Sequence, residues 1–407
     1  MKRSAAHKDA DEPGMTQPQD AAVEFSLIRG DALFRAQRAV GLIPAQGLGV
    51  VRRAILAVLI TWVPLVVAAA IANRLWPGEV AEPLLQHFGI HVRFLLAVPL
   101  FIIDDAVANW VVGEIMPYFV HSGLVTDAER QRFVAIVRRA TAWRDGWRPW
   151  VAIAGIAIAW MTASPVMWDA HEMSWATSDP PLLALRFGVF WFRYVARPIF
   201  LTLLLVWLWR LVLTTALMWR ISHLDLALVP THPDEAAGLG FLEVLPMAFV
   251  APAFAISAVL SGRWAHDVIY HAVPLKTLVI PMGAFVVVTA LLLLVPLLVF
   301  MRPLWATRRR ALFDYGALVG EHHRRLRRRW ILGEELGDDA MLEAPELGPG
   351  AYSGRLYDFV WRVLPIPVGK RILLAIMGLI MLPMLPLIAI EVHLGDALMK
   401  VVRMILL

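Results

Sequence analysis

Residues 91–117 read HVRFLLAVPLFIIDDAVANWVVGEIMP, and this stretch decides the class of fold that the chain can adopt. A bilayer core about 30 Å thick needs about 20 mostly apolar residues in a helix to cross it. Helices are favoured there because backbone amides in lipid must bond within their own segment. The stretch therefore predicts a membrane-spanning helix, with the acidic pair Asp104 and Asp105 near the middle of the bilayer.

The composition of the whole chain agrees with a membrane protein. The 407 residues are 59% apolar, and the mean hydropathy is +0.64. A soluble core could not bury that much apolar surface. The absence of cysteine excludes disulfides, thiolate metal sites and a cysteine nucleophile. We predict an all-α polytopic membrane protein with about seven transmembrane helices and additional interfacial helices.

The apolar runs and the arginines together predict the topology. Arg and Lys collect before residue 54, in the loop 118–148 and in 302–371, whereas the segment 167–183 has none. The positive-inside rule then places the N-terminus in the cytoplasm and the C-terminus outside. The predicted spans are 54–73, 91–117, 149–166, 187–219, 241–261, 277–301 and 371–391.

The pattern divides the chain into a few segments with different environments. Four residues at the end, His393, Asp396, Lys400 and Arg403, form one polar stripe on an apolar helix, which is typical of a helix lying in the interface. The segments are a disordered tail (1–24), a cytoplasmic interfacial segment (25–53), a six-helix membrane domain (54–301), a basic cytoplasmic segment (302–370) and the last span with the terminal interfacial helix (371–407).

A polar loop, RISHLDLALVPTHPDEAAGLGFLE, separates two apolar segments at residues 220–243. Two imidazoles and two carboxylates at this spacing could hold a divalent ion or relay protons. Alternatively, the prolines end one helix and Asp234 or Thr231 caps the next. The candidate residues of this loop are His223, Asp225, His232, Asp234 and Glu243.

The acidic pair in the second span needs a partner or water, because a charge in the bilayer costs about 3 kcal/mol or more. Arg186, Arg193 and Arg197 form one stripe on a later helix and are possible partners. Arg197 falls close to the outer interface, where arginine can reach the headgroups, and Arg210 lies deeper. Arg210 is therefore the better partner, either in a polar path for an ion or in a fixed structural bridge.

Two polar groups are predicted on the outer side. They could bind an external cation, or they could simply be solvated loop residues. The first group is Asp169, His171 and Glu172, and the second is His266, Asp267 and His271.

A basic run follows the sixth predicted span. Each basic residue near an anionic leaflet contributes about 1 kcal/mol, so lipid binding is favoured over nucleic acid. Aromatic residues that could stack on bases are absent from the run, and only Trp330 follows it. The run consists of Arg324, Arg325, Arg327, Arg328 and Arg329.

Several motifs together resemble a family of uncharacterised bacterial multi-pass membrane proteins. The matching stretches include GLIPAQGLGVVRRA, FVHSGLVTDAERQRF and the central LVPTHPDEAAGLGFL. Where the family pattern has two glycines, this chain has Ala237 and Gly238. The segment GPGAYSGRLYDFVW is also less regular as a helix than its counterpart in the family. The resemblance implies a topology and no established activity.

Motifs that would identify an enzyme are absent, including a P-loop, G-x-S-x-G and H-E-x-x-H. No cofactor is predicted. Two classes of function remain open. The first is ion or small-solute transport, with Asp104 and Asp105 on a hydrated path and the central loop at its mouth. The second is a scaffold or sensor that binds a protein partner and anionic lipid at the cytoplasmic face.

Overall fold

The structure is a computed structural model, and it confirms an all-α polytopic membrane protein. Within the described part of the chain, every regular element is a helix. The described residues are 25–44, 47–76, 83–163, 173–176, 182–271, 273–334 and 348–387. The predicted disordered tail, the terminal interfacial helix, and the group Asp169, His171 and Glu172 lie outside them.

The helices follow one another along the chain, and the loop 222–239 separates two of the spans. Short 3₁₀ or π segments at 84–86, 92–97, 174–176, 192–196, 240–249 and 382–384 join or extend them. The α-helices are α1 (Ala32–Ala39), α2 (Val50–Thr61), α3 (Val63–Ile71), α4 (Phe88–His91), α5 (Val98–His121), α6 (Asp127–Asp145), α7 (Arg148–Ala163), α8 (Leu183–Trp191), α9 (Arg197–Ile221), α10 (Val250–Tyr270), α11 (Leu275–Leu298), α12 (Met301–Trp330), α13 (Gly348–Arg362) and α14 (Lys370–Met381).

Six helical segments of the described chain are long and apolar enough to cross a membrane. They confirm six of the seven predicted spans. They are Val50–Ile71, Phe88–His121, Leu183–Ile221, Gly240–Tyr270, Leu275–Leu298 and Lys370–Leu387.

The remaining prediction, 149–166, corresponds to α7, which has only 16 described residues and is too short to count as a span by itself. Its path nevertheless follows α9 through the bundle. Pro149 and Trp209 line the same cavity near one end, and Arg197 lies over the Trp160 ring near the other. Helix α7 is therefore the described helix that corresponds to the seventh predicted span, and its crossing of the membrane stays a prediction.

Prolines explain why three of the spans are composite. Pro64, Pro99 and Pro198 each stand at the start of the second helical piece. A proline lacks the backbone N–H and clashes with the carbonyl four residues earlier, so the helix must change locally. Before Pro99 and Pro198 the change is a π turn, at Val92–Ala97 and Phe192–Ala196.

Polar contacts between the spans occur at two levels of the bundle. Arg53, near the start of its span, contacts Asp105, and Asp105 contacts Arg210. At the other end, the rings of His87 and His266 stack with centroids 5.0 Å apart. From Asp105 back to Phe88 a helix rises about 26 Å, which nearly matches a bilayer core.

Part of the extra length of the longer spans therefore projects beyond the Asp105 contacts, on one side. Three spans have 34, 39 and 31 residues, and each exceeds what a bilayer of about 30 Å requires. The projecting parts pack together with α6 and with the segment 25–44 into a hydrophobic core. We call this end, which carries α1, α6 and the start of α12, the arginine-rich side.

The predicted basic segment forms a helical hairpin on the same side. Helix α12 has 30 residues, and Arg308 Nη2 donates a hydrogen bond of 2.6 Å to the Trp361 carbonyl on α13. The GPGAYSGRLYDFVW segment, which looks irregular in sequence, is helical from Gly348 to Arg362.

Candidate functional site

A chain of buried ion pairs connects four segments at the arginine-rich side. Arg53 Nη2 lies 2.6 Å from Asp105 Oδ2, and Arg210 Nη1 donates to Asp105 Oδ1. Arg210 Nη2 lies 3.0 Å from Asp31 Oδ2. Each of these four side chains is less than one-tenth exposed. We call Asp31, Arg53, Asp105 and Arg210 the charge cluster.

Asp31 attaches the N-terminal segment to this cluster. It is the N-cap of α1, where Oδ1 accepts a 2.6 Å hydrogen bond from the Phe34 backbone N–H. Burial disfavours the carboxylate, and its effect exceeds that of Arg210, so the pKa of Asp31 lies above its ordinary value. Two carboxylates and two guanidinium groups thus balance one another in formal charge.

The depth of the acidic pair in the bilayer stays a prediction. The sequence placed Asp104 and Asp105 near the middle of the bilayer. Asp105 pairs with Arg53, the fourth residue of its span, and is linked through Arg210 to Asp31, which precedes all the spans. These contacts favour a position nearer to the arginine-rich side.

Asp104 has different surroundings from those of Asp105. It is also buried, with 3% of its surface exposed, but its Oδ1 has no hydrogen-bond partner among the described residues. A buried carboxylate oxygen without a partner is energetically costly. The described contacts therefore explain how Asp105 is stabilised inside the protein, but they do not explain this for Asp104.

The arginine stripe predicted on α8 and α9 does not join the charge cluster. Arg197 lies over the Trp160 ring, 6.0 Å from its centroid, and Arg193 lies 5.9 Å from the Tyr194 centroid. Arg186 lies in α8, one turn before the π segment. Of the predicted basic partners, the structure brings Arg210 to Asp105 and leaves Arg193 and Arg197 against aromatic rings.

Asp234 organises the central loop through backbone hydrogen bonds. Its Oδ1 accepts from Ala236 and Gly238 at 2.9 and 3.1 Å, and its Oδ2 accepts from Gly240 at 2.8 Å. Partial burial alone would raise the pKa of Asp234, but these donors together with His232 hold it below its ordinary value. Asp234 therefore holds the backbone of the loop together, whereas the sequence predicted that Asp234 or Thr231 would cap the next helix; the N-cap of the following segment, Gly240–Phe249, is Leu239.

The backbone of this loop turns sharply next to Asp234. Glu235 and Ala237 both have φ of +55°, and Gly238 has φ of +95°. Such angles are costly for residues other than glycine. Glycine at position 237 would meet this requirement more easily than Ala237 does. A Cβ on Gly240 would lie 2.8 Å from Asp234 Cβ, so this position accepts only glycine without rearrangement.

The two histidines and two aspartates predicted to share a site in the central loop do not form one site. His232 Nδ1 lies 2.8 Å from Asp234 Oδ1, while His223 Nδ1 lies 2.7 Å from the Trp219 carbonyl. Among the described residues, no group of three or more His, Asp or Glu side chains is arranged to hold a metal ion. Asp225 lies in the turn after α9.

The loop is also attached to the segment that leads into the last span. The Leu364 N–H donates to the Glu235 carbonyl at 2.7 Å, and the Gly369 N–H donates to Glu243 Oε1 at 2.9 Å. Glu243 therefore acts as a bridge between the 3₁₀ segment and the start of α14, which gives it a structural role that its sequence position did not suggest.

On the opposite side, histidines gather around His266. Its ring lies 5.0 Å from His87 and 5.4 Å from His271, measured between centroids. Ser174 Oγ lies 3.1 Å from His87 Nε2. The predicted group of His266, Asp267 and His271 therefore includes His87 in three dimensions, while Asp267 contributes its backbone carbonyl to His271.

The arginine run at the end of α12 is mostly solvent-facing. Glu321 accepts from Arg324 at 2.9 Å and from Arg325 at 3.0 Å, and these contacts hold the pKa of Glu321 below its ordinary value. The next three, Arg327, Arg328 and Arg329, are exposed in the last turn of the helix.

Comparison with known protein families, with curated proteins and with solved structures found no match to this chain. The family resemblance suggested by the loop motifs therefore stays a prediction. The interpretation of the site depends on its geometry.

Two members of the charge cluster were not anticipated from the sequence. Arg53 was interpreted as the polar end of an interfacial segment, but it is 4% exposed and pairs with Asp105. The available signal was that Arg53 lies at the start of an apolar run. A base in that position can reach a buried acid on a neighbouring span, and a buried acid needs such a base. Asp31 precedes ALFRAQRA, which is an N-cap signal, but nothing local in the sequence indicates its contact with Arg210.

Proposed function

We propose that this chain is a non-transporting membrane scaffold or sensor that binds anionic lipid and a protein partner on its cytoplasmic side. The observation that supports this proposal is the closed charge cluster around Asp105. An ion path needs polar groups that a permeating ion can engage. Removing one partner from a buried ion pair costs about 3 to 5 kcal/mol, which favours a fixed bridge.

Helix α12 supplies the surface for binding. It begins three residues after α11 ends and extends about 45 Å at 1.5 Å per residue. Its last turn presents Arg327, Arg328 and Arg329, which suit an anionic leaflet. Phe313, 71% exposed in the middle of the helix, offers an apolar contact for a partner.

The same proposal assigns the arginine-rich side to the cytoplasm of a bacterium and the chain to its inner membrane. The argument is the positive-inside rule, which concerns Lys and Arg in short loops next to the spans. Helices α1, α6 and the start of α12 carry many of the arginines, and these helices lie at one end of the bundle.

Reconstitution in liposomes tests the proposal directly. We expect the purified protein to give no proton or alkali-cation flux above that of protein-free liposomes. Photo-crosslinkers placed one at a time on Phe313 and along 223–243 should join the protein to one defined partner in native membranes. A cation flux in the wild type that disappears in the variant Asp104→Asn plus Asp105→Asn would contradict a non-transporting role.

Transport of a proton or cation remains a second candidate because of Asp104. Its buried Oδ1, unpartnered among the described residues, is the kind of group that a proton path requires. The single variant Asp104→Asn separates the two functions, because it leaves the ion pairs of Asp105 intact. Flux lost in this variant alone would support transport through Asp104.

A further inference from the structure

The segment before the first span forms an open cavity whose wall carries three arginines. The cavity has a volume of about 480 Å³ and lies between α1 and the turn leading to α2. Arg29, Arg35 and Arg38 line it together with Phe34 and Pro44. This volume falls within the range of small-molecule sites, which is about 300 to 1,000 Å³.

Two described carboxylates near this cavity are already paired with other arginines. Asp31 pairs with Arg210, and Asp145 Oδ1 lies 2.7 Å from Arg144 Nε. Arg35 donates only to the backbone carbonyl of Asp145, at 3.2 Å.

Arg29 and Arg38 have no ion pair with any residue that the structure describes. The cavity wall therefore carries three guanidinium charges that the described carboxylates do not neutralise. An anionic ligand would provide that neutralisation.

The cavity lies at the membrane boundary. Helix α1 is joined through Asp31 to the charge cluster, which marks that boundary on the arginine-rich side. The same part of the chain also has open apolar side chains: Val40, directly after α1, is 77% exposed, and Val51, in the first turn of α2, is 71% exposed. An apolar surface beside a cationic cavity matches the arrangement of acyl chains beside a phosphate headgroup.

We propose that this cavity binds the phosphate group of an anionic phospholipid headgroup. Guanidinium groups hold phosphate oxygens through paired hydrogen bonds, which makes arginine the preferred residue for such sites. The site is separate from the end of α12, to which the proposed function assigns lipid binding. It therefore stands whether or not the protein acts as a scaffold.

The test measures thermal unfolding of the full-length protein in detergent with added ligands. The probes are short-chain phosphatidylglycerol, short-chain phosphatidylcholine and inorganic phosphate. Because a ligand that binds the native state raises its stability, phosphatidylglycerol should raise the Tm by several degrees and phosphatidylcholine should not. The variant Arg29→Gln plus Arg38→Gln should weaken the apparent affinity by about tenfold or more.

A matched control removes two charges from another place. The variant Arg328→Gln plus Arg329→Gln, at the exposed end of α12, should keep the effect of phosphatidylglycerol. Equal loss in both variants, or no effect in the wild type, would overturn the site. An equal effect of inorganic phosphate would overturn the lipid as the source.

A fold-preserving comparison completes the test. Arg38 is exposed and has no ion pair to a described residue, so the single variant Arg38→Gln should unfold at the wild-type temperature without ligand. The variant Arg29→Lys plus Arg38→Lys keeps the charge but loses the paired hydrogen bonds, and it should recover only part of the affinity. Full retention of affinity in Arg38→Gln would exclude this residue from the site.

Discussion

Asp104 and Asp105 are neighbours in the sequence, yet substitution by asparagine should lower the free energy of unfolding far more at Asp105 than at Asp104. Asp105→Asn leaves Arg53 and Arg210 buried without their shared carboxylate, so we expect a loss of about 3 to 5 kcal/mol. Asp104→Asn removes no described ion pair, and its effect on stability should stay within about 1 kcal/mol. Thermal unfolding in detergent measures both.

Each aspartate variant is the control for the other, because both change one carboxyl to an amide at the same depth. A large loss in Asp104→Asn, with Asp105→Asn unaffected, would mean that the charge cluster does not stabilise the fold. Similar losses in both would show that any polar change at this depth is harmful.

Asp234 should make the stability of the central loop depend on pH in a definite direction. A carboxylate whose folded-state pKa is lowered stabilises the fold above its unfolded pKa of about 3.9, and this is lost as pH falls through the lower folded value. Asp234→Asn cannot titrate and loses the acceptor for Gly240. The difference in Tm between wild type and variant should therefore be constant above pH 5 and shrink below about pH 4.

Other carboxylates also titrate in acid, so the informative quantity is this difference and not the Tm of the wild type. A difference that stays unchanged from pH 6 to pH 3 would show that the Asp234 charge contributes nothing to the loop. Asp127→Asn, at the first turn of α6, controls for removal of an ordinary carboxylate.

For single residues, the sequence indicated which polar side chains are candidates more successfully than it indicated which residues they contact. Arg210 was predicted as the partner of the aspartates because it lies deeper than Arg197, and the structure has this contact with Asp105. Arg53 and Asp31 were missed because their partners lie far along the chain. Helical periodicity informs only about neighbours three or four positions away.

Among the elements, the last span is attached to α10 by two hydroxyl groups. Ser257 Oγ and Ser261 Oγ donate 2.5 Å hydrogen bonds to the carbonyls of Ile380 and Pro383. Interhelical hydrogen bonds in membranes contribute about 0.6 kcal/mol on average and up to about 2. Ser257→Ala plus Ser261→Ala should therefore lower the free energy of unfolding by about 1 to 3 kcal/mol.

Proteolysis of the detergent-solubilised protein should show this loosening first near the last span, with thermal unfolding as the second measurement. Thr162→Ala is the matched control, because the Thr162 hydroxyl bonds within its own helix, to the Ile158 and Ala159 carbonyls. Equal effects of the serine and threonine changes would argue against a special role of the α10 hydroxyls.

Element boundaries show what sequence reasoning could and could not supply. The apolar runs predicted six spans because the thickness of the bilayer sets the same minimum length of apolar residues for every span. The π turns before Pro99 and Pro198 were not predicted, since a proline in a span can be accommodated in several ways. The helix at Gly348–Arg362 was not expected either, because its packing on α12 overrides a poor local propensity.

For the whole molecule, we infer the position of the membrane from the lengths of the spans and from the contacts between them. The stacked rings of His87 and His266 mark one boundary, and the contact between Arg53 and Asp105 marks the other. From Arg53 to Ile71 a helix rises about 27 Å, close to the value from Phe88 to Asp105. The agreement between two antiparallel segments supports a single bilayer slab between these markers.

This placement predicts opposite accessibility at the two ends of one span. Gly240–Tyr270 separates the central loop from the start of α11. The chain has no cysteine, so His232→Cys and Lys276→Cys, both at exposed positions, each introduce a single thiol. If the arginine-rich side is cytoplasmic, an impermeant maleimide should label position 232 only in inside-out vesicles and position 276 only in intact spheroplasts. Labelling of both from the same side would show that this segment does not cross the bilayer, and the reversed pattern would place the charge cluster at the outer boundary.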